Sequence, residues 1–260
     1  MQKNILITGC SSGIGLTAAL DLHQRGYRVF AACRRPEDVA KMTALGLAGV
    51  LLDLDDEASV ATAAADVIER SGGRLYALFN NAGYGVYGPL QSISRRQLQQ
   101  QFEANLFGVH QLTLLLLPAM LPYGEGRIIQ TSSIMGLVTT PKRGAYAASK
   151  YALEAWSDAL RMELHGTGVM VSLLEPGPLT TAFGQNVNQA QADQPVHNPG
   201  IARFLTLTAD AVLPKLHHAL EHKRPKLRYP VTYVAHGLRV LKWLLPARWL
   251  DGLLRRQSGG

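Results

Sequence analysis

Two cysteines in 260 residues, Cys10 and Cys33, are too few for a disulfide scaffold and fit a reducing compartment. Both should fall near the carboxyl ends of the first two strands, where we read them as buried reduced thiols; a redox-sensitive pair is the alternative reading. Long apolar runs are also missing. The longest, LTLLLLPAML, is about half of what spans a bilayer and contains a proline. The chain passes from MQKN straight into the apolar run ILIT, which leaves no room for a signal or transit segment, so a cytoplasmic protein is expected. The 26 basic against 19 acidic residues give a net +7, too diffuse an excess to indicate a nucleic-acid binder. With 47% apolar side chains the chain can bury one substantial core, compatible with a single α/β domain.

The chain is organised around Thr131 to Lys150, TSSIMGLVTTPKRGAYAASK. From Ala145 onward the pattern reads as a helix, and the four-residue spacing puts Tyr146 and Lys150 on one face, one turn apart. A cation held close to a phenol favours phenolate and draws the group toward a useful working pKa, so Tyr146 is a candidate proton donor. Ser133 lies at the end of the apolar run GRIIQTSS, which reads as a buried strand, so its hydroxyl should emerge at a strand's carboxyl end, where open α/β sheets bind ligands. Upstream, Ile5–Thr8 is a short apolar strand followed by Gly9, Ser11, Ser12, Gly13, Ile14 and Gly15, then a helical pattern. Glycines in that setting let the backbone approach a pyrophosphate, while the helix start presents unpaired N–H groups and a positive dipole.

Ser133, Tyr146 and Lys150, together with TGCSSGIG at Thr8–Gly15 and NNAG at Asn80–Gly83, resemble the short-chain dehydrogenase/reductase superfamily. The likeness runs from Ile5 to about Thr181, and RYPVT near Tyr229 makes the wider pattern similar to a bacterial NADP-dependent aldehyde reductase of that superfamily. The resemblance implies that Asn105 in QFEANLFG completes a tetrad with Ser133, Tyr146 and Lys150, its main chain holding a relay water beside a local kink. It implies that Asn80 through Gly83, Ala82 among them, line the cofactor channel, that Asp53 contacts the adenine ring, and that Pro176, Gly177 and Thr181 contact the nicotinamide carboxamide. Lys150 would also bind the nicotinamide ribose, and homodimers or homotetramers would form through the long helices. By its chemistry alone Asp53 could instead cap the helix beginning near Asp55. The second strand, YRVFAAC, ends in Arg34 and Arg35, and no acidic residue follows until Glu37. A carboxylate there would favour NAD, whereas guanidinium groups attract a 2′-phosphate, so NADP(H) is the expected cofactor.

Alternating strands and helices imply a doubly wound, mostly parallel, seven-stranded Rossmann-like sheet in one domain over residues 1–233. Residues 182–209 are polar and without periodicity, and read as a substrate lid; His197 within them is more plausibly a loop residue than a catalytic one. Residues 234–260 form an amphipathic basic extension in which Pro246 should break or kink the helix. Three readings of this tail stand side by side: packing over the pocket or a subunit, docking on an anionic membrane surface, and a solvated basic face. The expected reaction is reduction of a hydrophobic aldehyde or ketone, with a hydroxysteroid or retinol type dehydrogenase as one alternative. A non-catalytic NADP(H)-sensing protein is another.

Overall fold

The computed structural model describes residues 2–180 and 206–257. Strands β1 (Asn4–Thr8), β2 (Arg28–Cys33), β3 (Ala48–Leu51), β4 (Ala77–Asn80), β5 (Gly126–Thr131) and β6 (Val169–Glu175) alternate with helices. A short pair, β7 (Leu179–Thr180) and β8 (Leu207–Thr208), stands apart and pairs in parallel. With β9 (Arg228–Pro230), the main sheet has seven strands in the order β3-β2-β1-β4-β5-β6-β9, all parallel. The doubly wound fold is therefore as expected. The strand order reverses between β1 and β4, and in open α/β sheets it is at the carboxyl ends of such a pair that ligands bind.

The sheet has two covered faces because its strands are apolar on both sides. Leu6, Phe30, Leu78, Ile128 and Val171 point to one face, into a core shared with Val60, Leu112 and Leu153. Their neighbours Ile5, Ile7, Ala31, Phe79, Ile129 and Leu174 point to the other, against Ala18, Leu22 and Leu216. This is the period-two alternation of a strand, and each fully buried aliphatic side chain stabilises by about 1.5–3 kcal/mol. The covering helices are α1 (Gly13–Gln24) and α7 (Leu213–Glu221) on one face, with α3 (Glu57–Arg70), α5 (Gly108–Leu116) and α6 (Gly144–Glu163) on the other. Helix α2 (Pro36–Ala44) follows β2.

The long helical pattern before β5 is broken where the sequence suggests. Helix α4 (Arg95–Phe102), started by a Ser94–Gln97 capping box, passes into a π-helical turn at Glu103–Phe107 before α5. Gly108 has a further reason to be glycine: a Cβ there would lie 2.2 Å from the Leu54 carbonyl oxygen. The third strand ends at Leu51 rather than Leu54, and the helix after it is capped by Asp56, whose carboxylate accepts from Ala58 and Ser59. Neither Asp53 nor Asp55 is that cap. The tail forms α8 (Tyr233–Leu244) and α9 (Ala247–Gln257), interrupted at Pro246. Most of the expected lid, including His197, lies outside the described residues, but its end is structured as β8 and a 3₁₀ turn at Ala209–Val212.

Gly108→Ala is expected to lower stability by about 1–3 kcal/mol, since the added methyl meets backbone rather than a yielding side chain. Urea unfolding checks this; a variant as stable as the parent would show that α5 can move off the β3–α3 connection.

Candidate active site

Helix α6 places Tyr146 and Lys150 one turn apart at the carboxyl end of β5, both buried. The Lys150 ammonium donates to the Thr131 carbonyl at 2.8 Å, which fixes the helix against the strand end, and its Nζ lies 5.9 Å from the Tyr146 ring centre. Ser133 begins a short 3₁₀ turn, Ile134–Gly136, its hydroxyl accepting from the Met135 N–H at 3.1 Å and hydrogen-bonding Tyr146. Hydroxyl, phenol and ammonium thus converge at one strand end.

The balance of forces on the phenol differs from the sequence expectation. Burial raises the Tyr146 pKa well above the usual tyrosine value and the neighbouring Tyr87 adds to this; the Ser133 hydrogen bond and the Arg143 charge pull the other way. Tyr146 is therefore a neutral, proton-loaded acid. Burial lowers Lys150 to about 8, opposed by the charge of Glu154 one turn further along α6. Tyr87 closes one side of the phenol, edge-on at 5.7 Å between ring centres. On another side, Ile134, Met135 and Val138 join Leu238 and Leu254 of the C-terminal helices in an apolar cluster around Tyr146.

Asn105 sits in the π-helical turn, buried, and its side chain is fully used: the amide oxygen accepts from Tyr84 N–H at 3.2 Å, and the amide nitrogen donates to the Tyr84 carbonyl at 3.0 Å and to Ser149 Oγ at 3.1 Å. The residue clamps the loop after β4 to α6, and a π turn leaves main-chain groups out of the regular ladder.

The β1–α1 turn fits a dinucleotide phosphate on its own geometry. Gly9 and Gly13 have positive φ, and a Cβ on Gly9 would come within 2.9 Å of Ala82 Cα. Ser12 is the N-cap of α1 but makes no capping hydrogen bond with its side chain, so both hydroxyl and helix start remain available to an anion. Ser11 is exposed at the loop tip, Ile14 half-buried. Gly15 is buried, and a Cβ there would strike the Gly9 carbonyl at 2.2 Å, so it serves close packing. Gly83 abuts Asn105 Oδ1, which a Cβ would reach at 2.8 Å.

The two arginines are not equivalent. Arg35 is engaged by Asp38 at 2.7 Å and Glu37 at 3.4 Å at the start of α2, whereas exposed Arg34 forms no ion pair among the described residues. Asp53 accepts from Asp55 N–H at 3.1 Å. Asn80 is a buried structural residue donating to Thr113 at 3.1 Å. The Pro176 carbonyl accepts from Ile134 N–H at 3.0 Å, and Gly177 packs so closely on Thr232 that a Cβ would meet its hydroxyl at 2.1 Å. Thr181 lies outside the described residues.

Sequence reasoning gave Thr8 no role and took Asn81 only as one of the NNAG residues lining the channel. The Thr8 hydroxyl accepts from the N–H groups of Asn81 at 3.0 Å and Ala82 at 2.9 Å, and Asn81 donates to the Thr8 carbonyl at 3.0 Å. Both were visible as strand-end polar residues within the TG and NNAG motifs. Cys10 and Cys33 are buried free thiols; burial raises Cys10 well above its usual value and Cys33 to about 11, so both stay protonated.

Comparison with known proteins gives the family and the fold. The family profile described as short chain dehydrogenase matches residues 3–192. The uncharacterized oxidoreductase YbbO of Escherichia coli K12 is 61% identical over 255 residues, 98% of this chain and 95% of that protein. Human retinol dehydrogenase 5 is 34% identical, over 96% of this chain and 87% of its own length. Among solved structures, a short chain dehydrogenase/reductase from Burkholderia phymatum in complex with NAD superimposes with a TM-score of 0.79 at 26% identity, covering 100% of this chain and 97% of that one.

The buried ammonium has a consequence for stability. Between about 8 and the ordinary lysine value of 10.5, the unfolded chain holds a proton on this side chain that the folded chain has given up, so stability rises with pH across that window. Below it, the cost of the buried charge is present in full. Lys150→Met is expected to gain about 1–3 kcal/mol at neutral pH, and to lose that advantage as pH rises through the window. Urea unfolding of both proteins across pH measures this; a gain that does not change with pH would mean that burial of the charge is not its source.

Proposed function

This chain belongs to the short-chain dehydrogenase family, and from that premise we propose that it is an NADP(H)-dependent oxidoreductase that reduces the carbonyl of a hydrophobic aldehyde or ketone to the alcohol. The observation that carries the reading is the convergence of Ser133, Tyr146 and Lys150 at the end of β5, with the phenol neutral and hydrogen-bonded to the serine. When bound, the cofactor supplies the hydride. Ser133 orients the carbonyl oxygen, and Tyr146 transfers its proton to that oxygen as negative charge develops. Lys150, pinned to Thr131, brings positive charge beside the resulting phenolate and binds the nicotinamide ribose. Asn105 positions the water that returns the proton, the π turn around it supplying the unladdered main chain.

The β1–α1 loop, Gly9, Ser11, Ser12, Gly13, Ile14 and Gly15, would hold the pyrophosphate, with Gly15 serving by letting the helix start pack against Gly9. By the family resemblance Asp53 would contact the adenine, Asn80, Ala82 and Gly83 would line the channel, and Pro176 and Gly177, with Thr181 outside the described residues, would contact the carboxamide. The preference for the phosphorylated cofactor rests on Arg34, the arginine without a carboxylate partner among the described residues; Arg35 contributes less because Asp38 and Glu37 already engage it. The apolar cluster around Tyr146 and the likeness to a retinol dehydrogenase both support a hydrophobic substrate, and the same likeness keeps a retinol type alcohol dehydrogenase as the second reading. Assembly into a dimer or tetramer is supported by exposed Leu98, Phe107, Leu114 and Leu115 on α4, the π turn and α5. A cytoplasmic location fits the buried free thiols.

Tyr146→Phe should leave NADPH affinity nearly unchanged and reduce turnover about a hundredfold or more. Unchanged turnover would remove Tyr146 from the chemistry, and NADPH binding without turnover of any carbonyl by the parent would favour a sensor. Arg34→Asp should shift the kcat/KM ratio toward NADH by about tenfold or more. A variant that keeps the parental ratio would place the 2′-phosphate elsewhere.

A further inference from the structure

Helix α8 is apolar on two opposite faces. Ala235, Leu238 and Leu241 turn inward to the cluster that surrounds Tyr146. Tyr233, Val240, Trp243 and Leu244 lie at seven, three and one residue intervals on the other side, exposed by 79%, 55%, 84% and 59%. Trp249 of α9 extends the outer stripe at 71% exposure. A helix apolar on both sides is expected where both are withdrawn from water, and here the outer side has no cover among the described residues.

The setting of this stripe is basic. Residues 233–257 contain Arg239, Lys242, Arg248, Arg255 and Arg256 against the single acid Asp251. Beside the stripe, between α7, β9 and α8, lies a cleft of about 380 Å³ lined by Lys215, Lys226, Arg228, His236, Arg239 and Val240. Arg228 and Arg239 are partly neutralised from beneath by buried Glu175, at 3.5 and 3.7 Å, and Arg228 also by Glu154 and Asp158. Lys215 and Lys226 have no carboxylate partner among the described residues.

We propose that α8 and α9 dock the protein on an anionic phospholipid bilayer, with the tryptophans in the interfacial layer and a headgroup phosphate in the cleft between α7, β9 and α8. Tryptophan suits the boundary between acyl chains and water, and lysine and arginine suit the negative lipid surface. A second copy fits less well, because a two-fold contact would set this basic surface against itself, and the exposed apolar residues of α4 and α5 already offer a subunit face. No helix among the described residues is long and apolar enough to cross a membrane, so the pair lies on the surface. Resting on the proposed function, the same geometry names a substrate source. The inner side of α8 packs around Tyr146 while its outer side meets lipid, so a carbonyl compound dissolved in the bilayer would reach the site through this roof.

The full chain, without cofactor or substrate, is to be sedimented with phosphatidylcholine vesicles and with vesicles that also contain phosphatidylglycerol. Binding at least about tenfold stronger to the mixed vesicles, and weakened by salt, is expected. Trp243→Ser with Trp249→Ser should lower binding to mixed vesicles about tenfold or more. Lys215→Glu with Lys226→Glu should remove the preference for phosphatidylglycerol. Both double variants should keep the parental melting behaviour and turnover of a short water-soluble aldehyde. Failure of the parent to bind either vesicle overturns the proposal, as does a tryptophan variant that binds like the parent. So does a tryptophan variant that falls from an oligomer to a smaller species, which would assign the face to a second copy. Capture of inorganic phosphate by the two lysines without vesicle binding would show a soluble-anion site instead. Vesicle binding by a chain that reduces no carbonyl would overturn the enzymatic reading and leave this one standing.

Discussion

The hydrogen bond from Lys150 to the Thr131 carbonyl, 2.8 Å long, is the constraint on which the site depends. It ties the face of α6 that carries Tyr146 and Lys150 to the last residue of β5. Tyr146 follows because it lies one turn earlier on the same face, and Glu154 because it lies one turn later. The face therefore carries a phenol, an ammonium and a carboxylate in sequence, all buried. Each shifts from its ordinary behaviour mainly through burial, which holds the phenol neutral, lowers the lysine and raises the carboxyl. A single cation, Arg228 on β9, then reaches Glu154 at 2.9 Å, Asp158 at 2.6 Å and Glu175 at 3.5 Å, so the last strand of the sheet is locked to the same helix.

The interruption of the long helix before β5 is part of this arrangement. A π turn forgoes regular hydrogen bonds, and here Asn105 compensates by satisfying both backbone groups of Tyr84 and the hydroxyl of Ser149. The loop after β4, the turn before α5 and the helix α6 become one unit. Gly83 fits against Asn105 only because it lacks a side chain. The same economy of space recurs at the carboxyl ends of β1 and β6, where Gly9 and Gly177 meet Ala82 and Thr232 at distances that exclude a Cβ.

The C-terminal helices join the fold through one apolar side, and Glu175 gives that junction an ionic element. Its carboxyl, fully buried, lies 3.7 Å from Arg239, and burial together with the charge of Glu154 raises it to about 7. Glu175 also ends β6, immediately before Pro176 and Gly177. Helix α8 is therefore coupled to the strand end at which the nicotinamide is expected, as well as to the residues around Tyr146.

The amino-acid sequence by itself determined the parallel doubly wound sheet, the Gly-rich turn, the pairing of Tyr146 with Lys150 and the break near Asn105. Each of these is local: continuous apolar runs, a four-residue spacing, or a glycine at a fixed offset from a strand. The distinction between Arg34 and Arg35 was not local, because it depends on which guanidinium Asp38 and Glu37 take up. Nor was the state of the phenol, which the spacing to Lys150 suggested would be set by charge and which burial by residues from distant segments sets instead. Thr8 and Asn81 gain their roles only when β1 and β4 become neighbours, and the outer and inner sides of α8 are distinguished only by what the rest of the chain covers. Spacing along a chain fixes which groups can share a face; dielectric surroundings and choice of partner are fixed by what packs against that face.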